Sequence, residues 1–261
     1  MGVIALIQTT QNGISFYQFE NLAACRGIDH KIFSRDGGYS RGPYASLNVT
    51  FGIGDENGNV TLNRGLIARN MQARELVFAR QVHGIDVAVM DQGNARPWPA
   101  AVEPLTADAL VTDQPQRHLV IQVADCQAVF LFDPVRQAAA NVHCGWRGSV
   151  RNILGRTVET MVQCFDCRPG NIIAGIGPSL GPCCAEFIHY QVEIPPAFWR
   201  YKDANHHFDF WSISCDQLAK AGVAAENIES SGICTRCHTD VFFSYRGEKT
   251  TGRFAAVIGM K

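Results

Sequence analysis

The stretch Leu119-Val-Ile-Gln-Val-Ala-Asp-Cys126-Gln-Ala-Val-Phe-Leu-Phe-Asp-Pro-Val-Arg-Gln-Ala-Ala-Ala-Asn-Val-His143-Cys-Gly-Trp-Arg-Gly148 decides how this chain folds. Its apolar runs at 119–123, 128–132 and 138–142 are short and bounded by turn residues, the pattern of buried strands. Beyond Gly148 the period changes. Ile153, Leu154, Val158, Met161, Val162 and Phe165 recur at three- and four-residue intervals, which predicts a helix over 150–167 with Ser149 as cap and Arg168-Pro-Gly as stop. Further outward, runs at 3–7, 109–112, 172–176 and 255–258 read as strands, and weaker helical patterns lie at 62–75 and 212–221. Strands crowded through the middle with few helices between them argue for an α+β protein of mixed β-sheets flanked by helices, and against a regular βαβ series. No repeat, low-complexity tract or Ser/Pro/Gly linker interrupts the chain, so residues 1–261 read as a single domain.

Bulk properties narrow the function. At 261 residues and 46% hydrophobic content the chain can bury a sizeable core. Its 23 Lys and Arg against 24 Asp and Glu give a net charge of −1, which calls for neither nucleic acid nor an anionic membrane as partner and leaves small-molecule work. The stretch Met1-Gly-Val-Ile-Ala-Leu-Ile-Gln lacks the basic region and long apolar core of a signal peptide, and Leu6 stands where myristoylation wants Ser or Thr. No run reaches the roughly 20 apolar residues of a membrane-spanning helix. The expectation is a cytoplasmic protein, a monomer or weak homo-oligomer, whose ten cysteines are buried thiols, metal ligands or nucleophiles rather than disulfides.

Chemistry concentrates in three runs: Arg80-Gln-Val-His83-Gly-Ile-Asp86, Val123-Ala-Asp-Cys126-Gln-Ala-Val129 and Asn141-Val-His143-Cys-Gly-Trp-Arg-Gly148. Two imidazoles and one thiolate would leave the fourth tetrahedral position of a zinc ion open, as in catalytic sites. Each residue also has a plainer reading. Cys126 is a buried free thiol by the habit of its type, His83 a hydrogen-bonded structural histidine, and Arg147 a solvated first-turn residue. Spacing does not choose, because the three residues follow no compact zinc-finger count. His143, leading into a helix N-terminus with Gly145, Gly148 and Arg147 beside it, also suits a phosphate or carboxylate.

Six runs, in order, supply what spacing does not. Gln81-Val-His83-Gly, Ala124-Asp-Cys126, His143-Cys-Gly-Trp-Arg-Gly148, Ile176-Gly-Pro-Ser-Leu-Gly-Pro-Cys-Cys-Ala-Glu186, Phe243-Ser-Tyr-Arg246 and Thr251-Gly-Arg253 resemble the motif series of the YfiH/DUF152 family, also called the multicopper polyphenol oxidase (laccase) family. The segments Gly37-Gly-Tyr-Ser40-Arg-Gly-Pro-Tyr-Ala-Ser-Leu-Asn48, Gly54-Asp55 and Asn63-Arg64 resemble its opening motifs. The resemblance implies a YfiH-like single domain and a zinc site at His83, Cys126 and His143, with copper as the alternative occupant. It further implies phosphorolysis of adenosine, inosine, guanosine and methylthioadenosine, together with adenosine deamination. On that reading the three ligands are the catalytic residues, Arg64 or Arg147 holds phosphate against the ribose C1′, and Ser40 and Asn48 bind sugar or base. Family members are also described as copper oxidases of phenols and as peptidoglycan editing factors. The chain departs from the family at Cys144, where the family usually has Ala.

Other patterns compete. Cys126 with His143 or His83 as base would make a cysteine hydrolase. Cys234-Thr-Arg-Cys237-His238 matches the c-type haem pattern, which needs export. Cys164-Phe-Asp-Cys167 with that pair would offer four thiols for a structural zinc, although Cys164 follows Met161 on the apolar helix face and reads as core. The glycines of Gly175-Ile-Gly-Pro-Ser-Leu-Gly181 are spoiled as a dinucleotide turn by Pro178 and Pro182, so no nucleotide cofactor is expected.

Overall fold

Along residues 119–144, alternate side chains part to opposite faces. Leu119, Ile121 and Val123 turn into one core and Val120 into another, while Phe130 and Phe132 part from Val129 and Leu131 in the same way. A computed structural model describes residues 6–90 and 105–261. Its strands are β1 (Ile7–Gln11), β2 (Ile14–Gln18), β3 (Ile28–Phe33), β4 (Glu75–Phe78), β5 (Val87–Val89), β6 (Ala109–Thr112), β7 (Arg117–Val123), β8 (Gln127–Asp133), β9 (Ala138–Cys144), β10 (Ile173–Ile176), β11 (Ile228–Ser230) and β12 (Phe254–Met260). They form two six-stranded sheets, ordered β1-β2-β3-β12-β7-β4 and β11-β10-β8-β9-β6-β5. The pairs β4/β7, β5/β6 and β10/β11 are parallel and the others antiparallel, so both sheets are mixed, as expected. In the first sheet Val120 sits opposite Val257; in the second Val129 sits opposite Val142.

The two sheets pack face to face. Ile32, Leu119, Ile121 and Ile258 of the first share a core with Leu110, Phe130, Phe132 and Ala139 of the second. The helices are α1 (Glu20–Ala23), α2 (Asn57–Asn70), α3 (Trp146–Val150), α4 (Ile153–Phe165), α5 (Tyr190–Glu193), α6 (Phe210–Lys220) and α7 (Tyr245–Glu248). Ile67 of α2 packs on the outer face of the first sheet against Val120 and Val257. Ile153, Val158 and Met161 of α4, with Leu218 of α6, cover the outer face of the second. The order is helix, sheet, sheet, helix, and β8 is buried on both faces. Among the described residues no helix is long and apolar enough to cross a membrane.

Helix boundaries differ from those expected. Asn152, in the left-handed region at φ 59°, caps α4 through a bond from the Gly155 N–H; Ser149 lies a turn earlier in the separate helix α3. The expected stop at Arg168-Pro-Gly is preceded by Asp166 at φ 50°, which ends α4. Helix α2 begins and ends upstream of the expected 62–75, and from Glu75 the chain pairs with β7 as strand β4. The expected strand at 3–7 falls largely outside the described residues.

Candidate metal centre and cleft

The three singled-out residues converge where the chain passes from one sheet to the other. Cys126 lies in the link between β7 of the first sheet and β8 of the second, just after Asp125 at φ 84°. His83 lies in the link between β4 and β5, itself at φ 59°, and is exposed. His143 is the penultimate residue of β9, one residue further into the strand than expected, and is buried on the side that faces the first sheet. Their ligand atoms lie within 4.8 Å of one another, with His83 Nε2 3.8 Å from Cys126 Sγ. The imidazole rings meet edge to face at 4.8 Å between centroids.

Asp108 organises the set, and it belongs to no motif that would mark it in the sequence. This fully buried carboxylate accepts from His143 Nδ1 at 2.7 Å and from the backbone N–H groups of Val82, His83 and Gly84. The bond to Nδ1 leaves the Nε2 of His143 for the centre, the carboxylate-histidine arrangement common behind metal-bound imidazoles. Burial raises the Asp108 carboxyl, but the bonds from His143, Gly84 and Val82 outweigh it and hold the group below its ordinary value. Burial also works against the charged forms of Cys126 and His143. Their mutual attraction prevails, helped by Asp108 at His143 and by His83 at Cys126, bringing the thiol down to about 6 and His143 up to about 9. Gly145 closes over the set: a Cβ there would lie 3.0 Å from both Cys126 Sγ and His83 Cδ2. The donor chemistry and this clearance fit a borderline-soft ion such as zinc, held by His83, Cys126 and His143.

The centre opens on a cleft of about 1460 Å³ whose walls include Thr50, Arg64, Phe78, Gln122, Arg147, Tyr245, Arg246 and Arg253. Arg64 reaches it from α2, its guanidinium 3.7 Å from the Phe78 ring centroid and its Nε donating to the Val49 carbonyl. Burial draws its pKa down to about 9, still a cation at neutral pH. Arg147 is exposed and stacks 4.4 Å over Trp146, in α3 rather than at the start of the long helix. Ser40 and Asn48 are buried and do not reach the cleft wall. Both donate to Asp55 Oδ2, at 2.6 and 2.8 Å, and Asn48 Oδ1 accepts from the Thr50 and Arg253 N–H groups.

Behind Cys126, the Asp125 carboxylate accepts from Thr235 Oγ1, Ser244 Oγ and the Arg246 N–H. Cys144 shares the outer core with Val142 and Ile153, on the opposite face of β9 from His143, and burial lifts its thiol to about 12. It packs beneath the centre. Cys164 is exposed and Cys167 buried, reversing the core role expected of Cys164, because α4 ends within a residue of it. Nor does this pair join Cys234 and Cys237; those two gather instead with Cys183 and Cys184.

Comparison with known proteins agrees with this fold. A family model described as multi-copper polyphenol oxidoreductase laccase matches residues 29–261. A purine nucleoside phosphorylase of Bacteroides thetaiotaomicron is 32% identical over 241 residues, covering 87% of this chain and 89% of that protein. The purine nucleoside phosphorylase YlmD of Geobacillus stearothermophilus is 33% identical over 246 residues, covering 88% and 89%. The crystal structure of YlmD from Geobacillus stearothermophilus superposes with a TM-score of 0.87 at 28% identity, covering 99% of this chain and all of that one. That of the Bacillus licheniformis hypothetical protein YfiH gives 0.85 at 27% identity, covering 96% and 97%.

Proposed function

The chain belongs to the multi-copper polyphenol oxidoreductase laccase family, and from that premise we propose that it is a purine nucleoside phosphorylase working at a zinc centre of His83, Cys126 and His143. The observation that carries the reading is the convergence of these three side chains, backed by Asp108, at a cleft that also receives Arg64 and Arg147. Relatives of this length and similarity bear the name purine nucleoside phosphorylase. In phosphorolysis an oxygen of phosphate bonds to the ribose C1′ as the bond from C1′ to the purine nitrogen breaks, and the purine leaves with a proton. Zinc held by the three ligands would supply a Lewis acid with one open position. The chain's own contribution is placement. Asp108 fixes the His143 ring, Gly145 keeps the approach clear, and the guanidinium groups of Arg64 and Arg147 offer charge to phosphate. Asn48 positions Thr50, whose Oγ1 donates to Gln122 on the cleft wall, so Ser40 and Asn48 act through the wall rather than on the sugar. Adenosine, inosine, guanosine and methylthioadenosine are the proposed substrates, with deamination of adenosine, in which water replaces ammonia, as a second outcome at the same centre.

One arrangement favours another chemistry. Cys126, His143 and Asp108 stand in the order of nucleophile, base and orienting carboxylate, the layout of a cysteine hydrolase. A thiolate committed to a metal is not free to attack, so chelation separates the two readings. The primary experiment is chromatography of products from adenosine with and without phosphate, beside Cys126→Ala. Adenine released only with phosphate, and lost in the variant and on chelation, is the expected result. Inosine without adenine assigns deamination instead, and unchanged nucleoside in every tube would sink the proposal.

A further inference from the structure

A second cluster of ligating side chains lies outside this centre. Cys183 and Cys184 follow β10 in the loop that carries the cleft residues Leu180, Glu186 and Phe187; Cys234 and Cys237 stand in the loop after β11. All four Sγ atoms lie within 4.8 Å of one another. Cys237 Sγ is 3.6 Å from both Cys183 Sγ and Cys184 Sγ, across 54 and 53 residues of chain. A disulfide requires about 2.05 Å. Four sulfurs each ~2.3 Å from a central zinc stand roughly 3.8 Å apart, the edge of their tetrahedron. The two separations from Cys237 lie close to that edge.

We propose that Cys183, Cys184, Cys234 and Cys237 form a four-thiolate structural zinc site that staples the two loops behind the catalytic cleft. The backbone is already shaped for it. Ser179 pairs with Cys234 as an isolated parallel bridge, with Ser179 N–H donating to the Ile233 carbonyl and Thr235 N–H to the Ser179 carbonyl. Gly181 N–H donates to Cys234 Sγ at 3.3 Å, the outer bond that commonly orients a metal-bound thiolate. Cys234-Thr-Arg-Cys237 has the two-residue spacing of structural zinc pairs, and the tertiary fold brings the adjacent Cys183-Cys184 to it. Cys183 and Cys237 are exposed and Cys184 and Cys234 buried, so an ion can enter from solvent and finish half-enclosed. Four thiols bind Zn²⁺ with release of their protons to solvent and leave no open position, so the role is structural. The staple bears on the catalytic side through Thr235, which holds Asp125 next to Cys126, and through Arg246, whose Nη1 donates to the Cys184 and Glu186 carbonyls.

The test removes the first centre. A chain carrying His83→Ala and Cys126→Ala is reduced, stripped by chelator, then loaded with zinc alone or Co²⁺ alone and desalted. One equivalent of zinc per chain is expected, with the sulfur-to-cobalt charge-transfer and strong visible bands of a tetrahedral thiolate site in the cobalt form. Adding Cys183→Ser and Cys237→Ser, both at exposed positions, takes metal and bands to zero. A zinc-free His83→Ala/Cys126→Ala chain, or equal metal content in the two chains, overturns the proposal. So does a pair of these cysteines found as a disulfide in freshly purified protein, seen as an intact mass two hydrogens lower. A metal-dependent rise in melting temperature of the His83→Ala/Cys126→Ala chain itself is expected too, and an unchanged melting temperature would count against the site without requiring the cysteine variants to fold.

Discussion

At the scale of single residues, Asp108 carries more than any motif residue. It bonds the His143 ring and three successive backbone N–H groups of the His83 loop, so one carboxylate places two of the three proposed ligands. Asp108→Asn preserves the shape but presents an amide NH₂ in place of one oxygen. Activity or zinc affinity should fall roughly 10- to 100-fold, read as kcat/KM for phosphorolysis and by zinc competition titration. His30 is the second informative residue. It is buried, its Nε2 accepts from the Phe19 N–H at 2.8 Å, and its Nδ1 has no partner among the described residues. Burial first, then the nearby Lys31 charge, lowers its pKa from 6.5 to about 3. Above pH 6.5 the imidazole is neutral in folded and unfolded chains alike. Between pH 6.5 and about 3 the unfolded chain binds a proton that the folded one refuses, so stability falls with falling pH. The slope from this one proton approaches about 1.4 kcal/mol per pH unit. Urea titrations across that window should show a shallower loss for His30→Gln, and identical slopes would remove His30 from the account.

At the scale of elements, the caps and the links between strands decide where chemistry can occur. Helix α6 starts at Asp209, whose carboxylate accepts from the Ser212 N–H at 3.0 Å and from its hydroxyl at 2.6 Å. Asp209→Ala should cost about 1 kcal/mol of unfolding free energy by denaturant titration, with catalysis unchanged. The links β4–β5 and β7–β8 both cross between sheets, and both carry a non-glycine residue at positive φ, His83 itself in one and Asp125 beside Cys126 in the other. Such conformations are sparse for residues with a side chain and persist where surrounding bonds over-determine them. Asp108 supplies those bonds at His83, and Thr235, Ser244 and Arg246 supply them at Asp125.

At the scale of the molecule, the two sheets share one core, and we expect one cooperative unfolding transition seen alike by circular dichroism and tryptophan fluorescence. Phe130, fully buried between the sheets and in edge contact with Phe19 and His30, is the natural probe. Phe130→Ala should destabilise by about 3–5 kcal/mol and shift that transition without splitting it. What was legible in the sequence was what short-range pattern encodes. The buried runs of β6 to β10 and β12, the apolar stripe of α4 and the α+β class all follow from side-chain alternation and period, and His83, Cys126 and His143 stood out through their neighbours. The tertiary structure decided the rest, because those features arise from contacts between segments far apart in the chain. Asp108 looks like any acidic residue ahead of a strand until the fold sets it under His143. Ser40 and Asn48 look free to bind sugar until Asp55 takes their hydrogen bonds. Cys234 and Cys237 find Cys183 and Cys184 rather than Cys164 and Cys167, because β10 and β11 pair in parallel and bring the loops that follow them together.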